Sequence, residues 1–159
     1  MIAQFKILCE VKALHEQNKL KALREKRAAV EVAQAKEADQ QRIVAESRAA
    51  LPGKEAALYD AIMQQSVSVE RIDETKEKVL KLQEDHQKEE DEAERLTQIR
   101  IRCEQERDLA RRQYQIAQRN LEKFMTIKSD LAMQQVLAAE AQEDAEIEDL
   151  FSKKQKVPT

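Results

Sequence analysis

The chain has 159 residues, of which 37% are charged and 3% aromatic, with no tryptophan and a formal net charge of −3. So few aromatics exclude a thick hydrophobic core, and so small a net charge gives no electrostatic ground for binding DNA or RNA. No apolar run approaches the ~20 residues that span a bilayer as a helix, so direct membrane insertion is not expected.

One glycine and two prolines leave almost no positions suited to turns, so the chain is expected to run as very long helices. Ala, Glu, Lys, Gln, Arg and Leu dominate, and these lose least entropy on entering a helix. Disorder is the competing reading of so polar a chain, but the apolar residues recur at helical spacing and the charges nearly cancel. The fold class expected is all-α, a long antiparallel two-helix coiled-coil hairpin.

The first helix is predicted over 3–50. Its apolar opening, Met1 to Cys9, lacks a small-residue cleavage site and reads as the first turns of a helix. Every seventh residue from the start gives Ile2, Cys9, Glu16, Leu23, Val30, Glu37, Val44, Leu51 and Leu58, one column of a heptad. Its companion column is poorer, being largely Lys, Ala, Gln and Ser. Phe5, Ala13, Leu20, Ala33 and Ile62 drift between faces. That pattern suits a partner within the same chain better than an extended parallel dimer, so a monomer in isolation is expected.

Two places can interrupt the helix. Leu51-Pro52-Gly53 predicts a break or kink, because proline donates no backbone hydrogen bond and disfavours helix at the residue before it. A short helix over 54–65 follows. Ser66-Val67-Ser68-Val69 is the better place for the reversal, since it leaves arms of comparable length, whereas Pro52 would leave them badly mismatched. Ser68 can cap a helix that opens with Glu70 and Asp73, whose charges suit a helix N-terminus.

The second helix is predicted over 70–150. One heptad column reads Leu82, Glu89, Leu96, Cys103, Ala110, Ala117, Phe124, Leu131, Ala138 and Ala145. Its companion reads Ile72, Val79, His86, Ala93, Arg100, Arg107, Tyr114, Leu121 and Lys128. The seam is strong at Val79-Leu82 and at Leu121-Phe124, and polar between them. Phe124 and Leu121 are expected to be its best-buried side chains. A flexible basic tail is expected over 152–159, and the hairpin over 1–151 forms one domain.

Charge is unevenly spread. Seven basic residues lie between Lys6 and Arg27 against three acidic ones, and seven acidic residues lie between Glu84 and Glu94 against Lys88. Six acidic and no basic residues lie between Glu140 and Asp149. Most of this is what solvated helix faces carry. The same pattern marks candidate partner-binding residues at the charged end, Lys19, Lys21, Arg24, Arg27, Glu146, Glu148 and Asp149. The apolar groups Leu58, Tyr59, Ile62 and Met63 near the reversal are a second candidate set.

No catalytic constellation can be assembled. Gly53 stands alone, so no glycine-rich phosphate loop exists. His15 and His86 are isolated, and Cys9 and Cys103 belong to no C-x-x-C pair, so neither a catalytic dyad nor a zinc site is expected. The acidic clusters lack the spaced ligands and turn glycine of a calcium loop. The expectation is a non-enzyme without cofactor or metal, an interaction or mechanical element.

Three segments carry a resemblance. They are the basic opening Phe5-Lys6-Ile7-Leu8…Lys12-Ala13-Leu14, the stretch Arg111-Arg112-Gln113-Tyr114…Asn120-Leu121-Glu122-Lys123-Phe124, and the acidic ending Asp144-Ala145-Glu146-Ile147-Glu148-Asp149-Leu150-Phe151. Together they resemble the central stalk proteins of type III secretion, the YscO-type family with its flagellar FliJ-like counterpart. The resemblance implies a stalk in the pore of the hexameric secretion ATPase, stimulating it and contacting the cytoplasmic domain of the export gate. It implies binding to translocator chaperones too, and a place at the cytoplasmic face of the bacterial inner membrane. The rival expectation is a dimeric coiled-coil spacer or scaffold.

Overall fold

The computed structural model describes residues 1–155. Helix α1 spans Ile2–Met63, helix α2 spans Val69–Gln155, and no strand occurs among the described residues. The fold is an antiparallel helical hairpin. The chain reverses at 64–68, where the Gln65 N–H donates to the Ile62 carbonyl at 3.3 Å and closes α1. The Ser68 carbonyl then accepts from the amides of Arg71 at 3.1 Å and Ile72 at 3.3 Å, which makes Ser68 the cap of α2. Glu70 sits in the first turn of α2, where the helix dipole favours an anion.

Two boundaries differ from the sequence reading. Segments 3–50 and 54–65 are one helix, because α1 runs through Pro52 without a break. The physical reason is position: Pro52 and Arg48, whose carbonyl loses its amide partner, are both exposed, so water can serve that carbonyl. At the far end α2 continues to Gln155, so the first part of the expected tail is helical. The remainder of that tail, 156–159, lies outside the described residues.

The chain divides into two compact units, one made of Met1–Leu23 with α2 from Ala110 onward, the other of Arg24–Leu109. In the second unit the two heptad columns meet face to face. Val30, Ala33, Val79 and Leu96 are buried there, and so are the polar Glu37, Gln40 and Thr75. The polar interruptions of the two columns fall opposite one another. Arg100 Nε contacts Glu37 Oε2 at 2.5 Å, and Thr97 Oγ1 donates to Glu37 Oε1 at 2.8 Å. Gln40 Nε2 donates to the Glu89 carboxylate at 2.6 Å and to its backbone carbonyl at 3.1 Å. Ser47 Oγ and His86 Nδ1 lie 2.8 Å apart. Among the described residues, no buried side-chain nitrogen or oxygen lacks a partner. A polar seam is tolerable only when satisfied in this way, since an unpaired buried group costs about 1–3 kcal/mol.

In the first unit Cys9, Leu23, Ala110 and Ala117 are buried, and among the described residues Leu23, 1% exposed, is the only large side chain so fully enclosed. The Phe5 and Phe124 rings pack tilted with centroids 5.8 Å apart, and the Lys12 ammonium sits 5.2 Å from the Phe124 ring centre. Such a cation over a ring face contributes about 0.5–1 kcal/mol when exposed. The Cys9 thiol donates to the Phe124 carbonyl at 3.5 Å. Phe124 and Leu121 are nevertheless only half-buried, contrary to the sequence expectation. Across from them lies the very start of α1, with too few atoms to enclose a ring. The alanines at 110 and 117 are small enough to be covered completely.

Candidate functional site

The seam is structural, so the functional surfaces must lie on what the hairpin leaves uncovered. Helix α2 outruns α1: after Leu131 every residue to Gln155 is exposed. The pairing explains this. Phe124 meets Phe5 and Cys9, so the start of α1 at Ile2 is exhausted near residue 131. The overhang, 132–155, is held only by its own helical hydrogen bonds and by local contacts such as Gln142 Nε2 to Glu146 Oε1 and Ser152 Oγ to the Asp149 carbonyl. It carries Met133, Val136, Leu137, Ile147, Leu150 and Phe151 open to solvent, the last 67% exposed, alongside its six acidic residues. Ile147, Leu150 and Phe151 with Lys154 line a shallow apolar hollow of 210 Å³.

The residues singled out from sequence distribute as follows. Glu146, Glu148 and Asp149 all lie on the exposed overhang. Lys21 is exposed in the first unit, whereas Lys19 is half-buried along the seam; Arg24 and Arg27 are exposed in the second. Near the reversal, Met63 (82% exposed) and Tyr59 face solvent, while Leu58 and Ile62 are half-buried. Leu58 forms the floor of an open groove of 480 Å³ with Ala57 and Leu82, rimmed by Lys54, Lys78, Lys81 and Asp85. Sequence reasoning did not single out this groove, since its two walls are joined only by the hairpin register. It also missed the apolar residues of the overhang, which lie off the heptad columns.

Ion pairs across the second unit shift several titrations. The Arg48 guanidinium, 2.8 Å from Glu90 Oε1, holds that carboxyl below the usual range, helped by His86, whose Nε2 is 3.2 Å away. Lys26, 2.9 Å from Glu106, depresses that carboxyl in the same way. Arg95 does so to Glu92 within α2. Arg100 is held more firmly protonated by Glu104 first and then by Glu37. Lowered carboxyl pKa values stabilise the folded state above the ordinary carboxylate range, and that contribution is lost as pH falls through the depressed values. The helical melting midpoint should therefore be flat from neutrality to about pH 5 and drop below about pH 4. The Glu90, Glu92 and Glu106 carboxylates are half-buried but still reach solvent, so the drop should be modest and should shrink in high salt. A midpoint that rises on acidification would contradict the pairing.

Among the described residues no group of three His, Cys, Asp or Glu side chains could hold a metal ion, and no helix is long and apolar enough to cross a membrane.

The model of the YscO type III secretion protein family matches residues 5–153. The chain belongs to that family. The match takes in both helices and most of the overhang, so the family accounts for nearly all of the described hairpin. A crystal structure of the type III secretion protein YscO from Vibrio parahaemolyticus has the same fold, with a TM-score of 0.81 over 93% of each chain at 21% identity. No curated protein matches the chain. In this YscO-family hairpin both the overhang and the reversal leave large apolar side chains uncovered.

Proposed function

We propose that this YscO-family chain is a non-enzymatic stalk of a type III secretion apparatus. It links and stimulates the hexameric secretion ATPase, contacts the cytoplasmic domain of the export gate, and binds translocator chaperones, all at the cytoplasmic face of the inner membrane. The observation that carries this reading is the overhang: 24 residues of helix, 132–155, with apolar and acidic side chains and nothing of α1 opposite them among the described residues. An amphipathic helix left bare is the usual form in which one protein offers itself to the groove of another. The rest of the hairpin suits mechanical coupling. Its seam is satisfied by polar pairs at a fixed register, so displacing one helix along the other would break several interactions together. The rival, a parallel dimeric spacer, would need a free heptad stripe, and both stripes are already used within the chain.

The reading is tested by pull-down with the purified partners. The full chain should retain the ATPase, the gate domain and the translocator chaperone, and retention should weaken as salt rises. Lys21→Glu, Arg24→Glu and Arg27→Glu together should weaken at least one of these contacts. Retention of none of the three by a fully helical protein would remove the stalk from consideration.

A further inference from the structure

The overhang is matched in length and charge by another surface of the same unit. Residues 132–155 extend about 36 Å at 1.5 Å per residue, and the opposing run of α1, residues 2–23, extends about 33 Å. The overhang carries six acidic residues against Lys153 and Lys154. The paired body of the unit is the reverse. Residues 1–23 hold Lys6, Lys12, Lys19 and Lys21 against Glu10 and Glu16, and residues 110–131 hold five basic residues against Glu122 and Asp130. That body also shows an uncovered apolar stripe on α1, Ile7, Val11 and Leu14 at i, i+4 and i+7 spacing.

We infer that two copies of this chain join end to end, each laying its acidic overhang 132–155 along residues 2–23 of the other. With the two α1 N-termini abutting, each overhang reaches the whole of the opposite α1 segment and runs parallel to it. The arrangement is two-fold symmetric and closed, so it ends at a dimer instead of growing into a filament. Each contact becomes a three-helix bundle: two helices of one copy and the overhang of the other. In that register residue 132 lies beside residue 2 and later residues keep step. Residues 140–149 therefore lie beside 10–19, which include Lys12 and Lys19, and Leu137 comes beside Ile7 at the start of the Ile7-Val11-Leu14 stripe. Two overhangs pairing only with each other would instead set acidic segments side by side. This dimer joins two finished hairpins, and it differs from a parallel coiled coil in leaving both seams intact. It does not depend on the stalk reading, which survives if the dimer is absent.

The test is sedimentation or light scattering across concentration, from about 1 μM to several hundred μM, the range where modest affinities show. The full chain should rise from one-chain to two-chain mass and stop there, and high salt should shift the transition to higher concentration. A chain ending at Leu131 should keep its helicity and stay at one-chain mass. Glu143→Lys, Glu146→Lys and Asp149→Lys together should lose the dimer, as should Lys12→Glu, Lys19→Glu and Lys21→Glu together. Mixing those two triple variants should restore it, because each overhang again meets a body of opposite charge. One-chain mass at every concentration, a dimer that survives truncation at Leu131, or a mixture that stays monomeric would each overturn the proposal.

Discussion

Leu23→Ala should lower the stability of the hairpin by about 3 kcal/mol, toward the low end of buried Leu truncations because a two-helix seam can partly collapse. Among the described residues Leu23 is the one large side chain fully enclosed by its neighbours, and Ala110 and Ala117 are small residues buried in the same unit. Truncating it removes an isopropyl group from a seam with no second layer, so the gap closes only by partial approach of the two helices. Leu14→Ala, nine residues earlier but on the exposed face, should change stability by less than about 0.5 kcal/mol. Phe124→Ala should fall between the two, since its ring is only half covered. Chemical denaturation followed by circular dichroism measures all three. Equal effects for Leu23 and Leu14 would show that the register of the seam is wrong.

Pro52→Ala should act in the opposite direction and stabilise the protein. Proline in a helix interior is less favourable than alanine by about 3 kcal/mol, while the stiffer unfolded chain returns up to ~1 kcal/mol, leaving a net gain of about 2 kcal/mol. The change restores an amide donor to the Arg48 carbonyl and introduces no crowding, since residue 52 is exposed. Gly53→Ala should add about 1 kcal/mol more. A methyl group there would meet nothing within 4 Å, and Gly53 has no positive φ that would strain it. For a chain of this size the double variant should melt several degrees higher, at roughly 2–4 °C per kcal/mol. A lower midpoint for Pro52→Ala would indicate that the helix ends at Leu51 in solution.

The architecture was legible because the signals that set it are local and repeated. Missing turn residues announced long helices, Ser68 and Glu70 marked where α2 begins, and the heptad columns marked which faces meet. Even the weak companion column proved meaningful. Its Gln40 and Ser47, like Glu37 of the main column, fall opposite Glu89, His86 and Arg100, so residues that look like defects in either helix alone are partners once the register is set. Pro52 misled because propensity rules describe an average cost, and an exposed site inside a long helix can bear it. Phe124 misled because burial depends on how much chain lies opposite, and α1 begins only a few residues before Phe5. The candidate surfaces were half legible. Acidic composition picked out Glu146, Glu148 and Asp149, but the exposed apolar residues Met133, Val136 and Leu137 emerged only when α2 was seen to outrun α1.

The most direct measurement of the stalk assignment is the turnover of the purified secretion ATPase with and without this chain. A stalk that binds an assembled ring better than its separate subunits should promote the hexamer and raise the rate of nucleotide hydrolysis at saturating stalk. A chain ending at Leu131, still helical, should stimulate much less. Unchanged turnover and unchanged hexamer content in the presence of excess full-length protein would contradict the account.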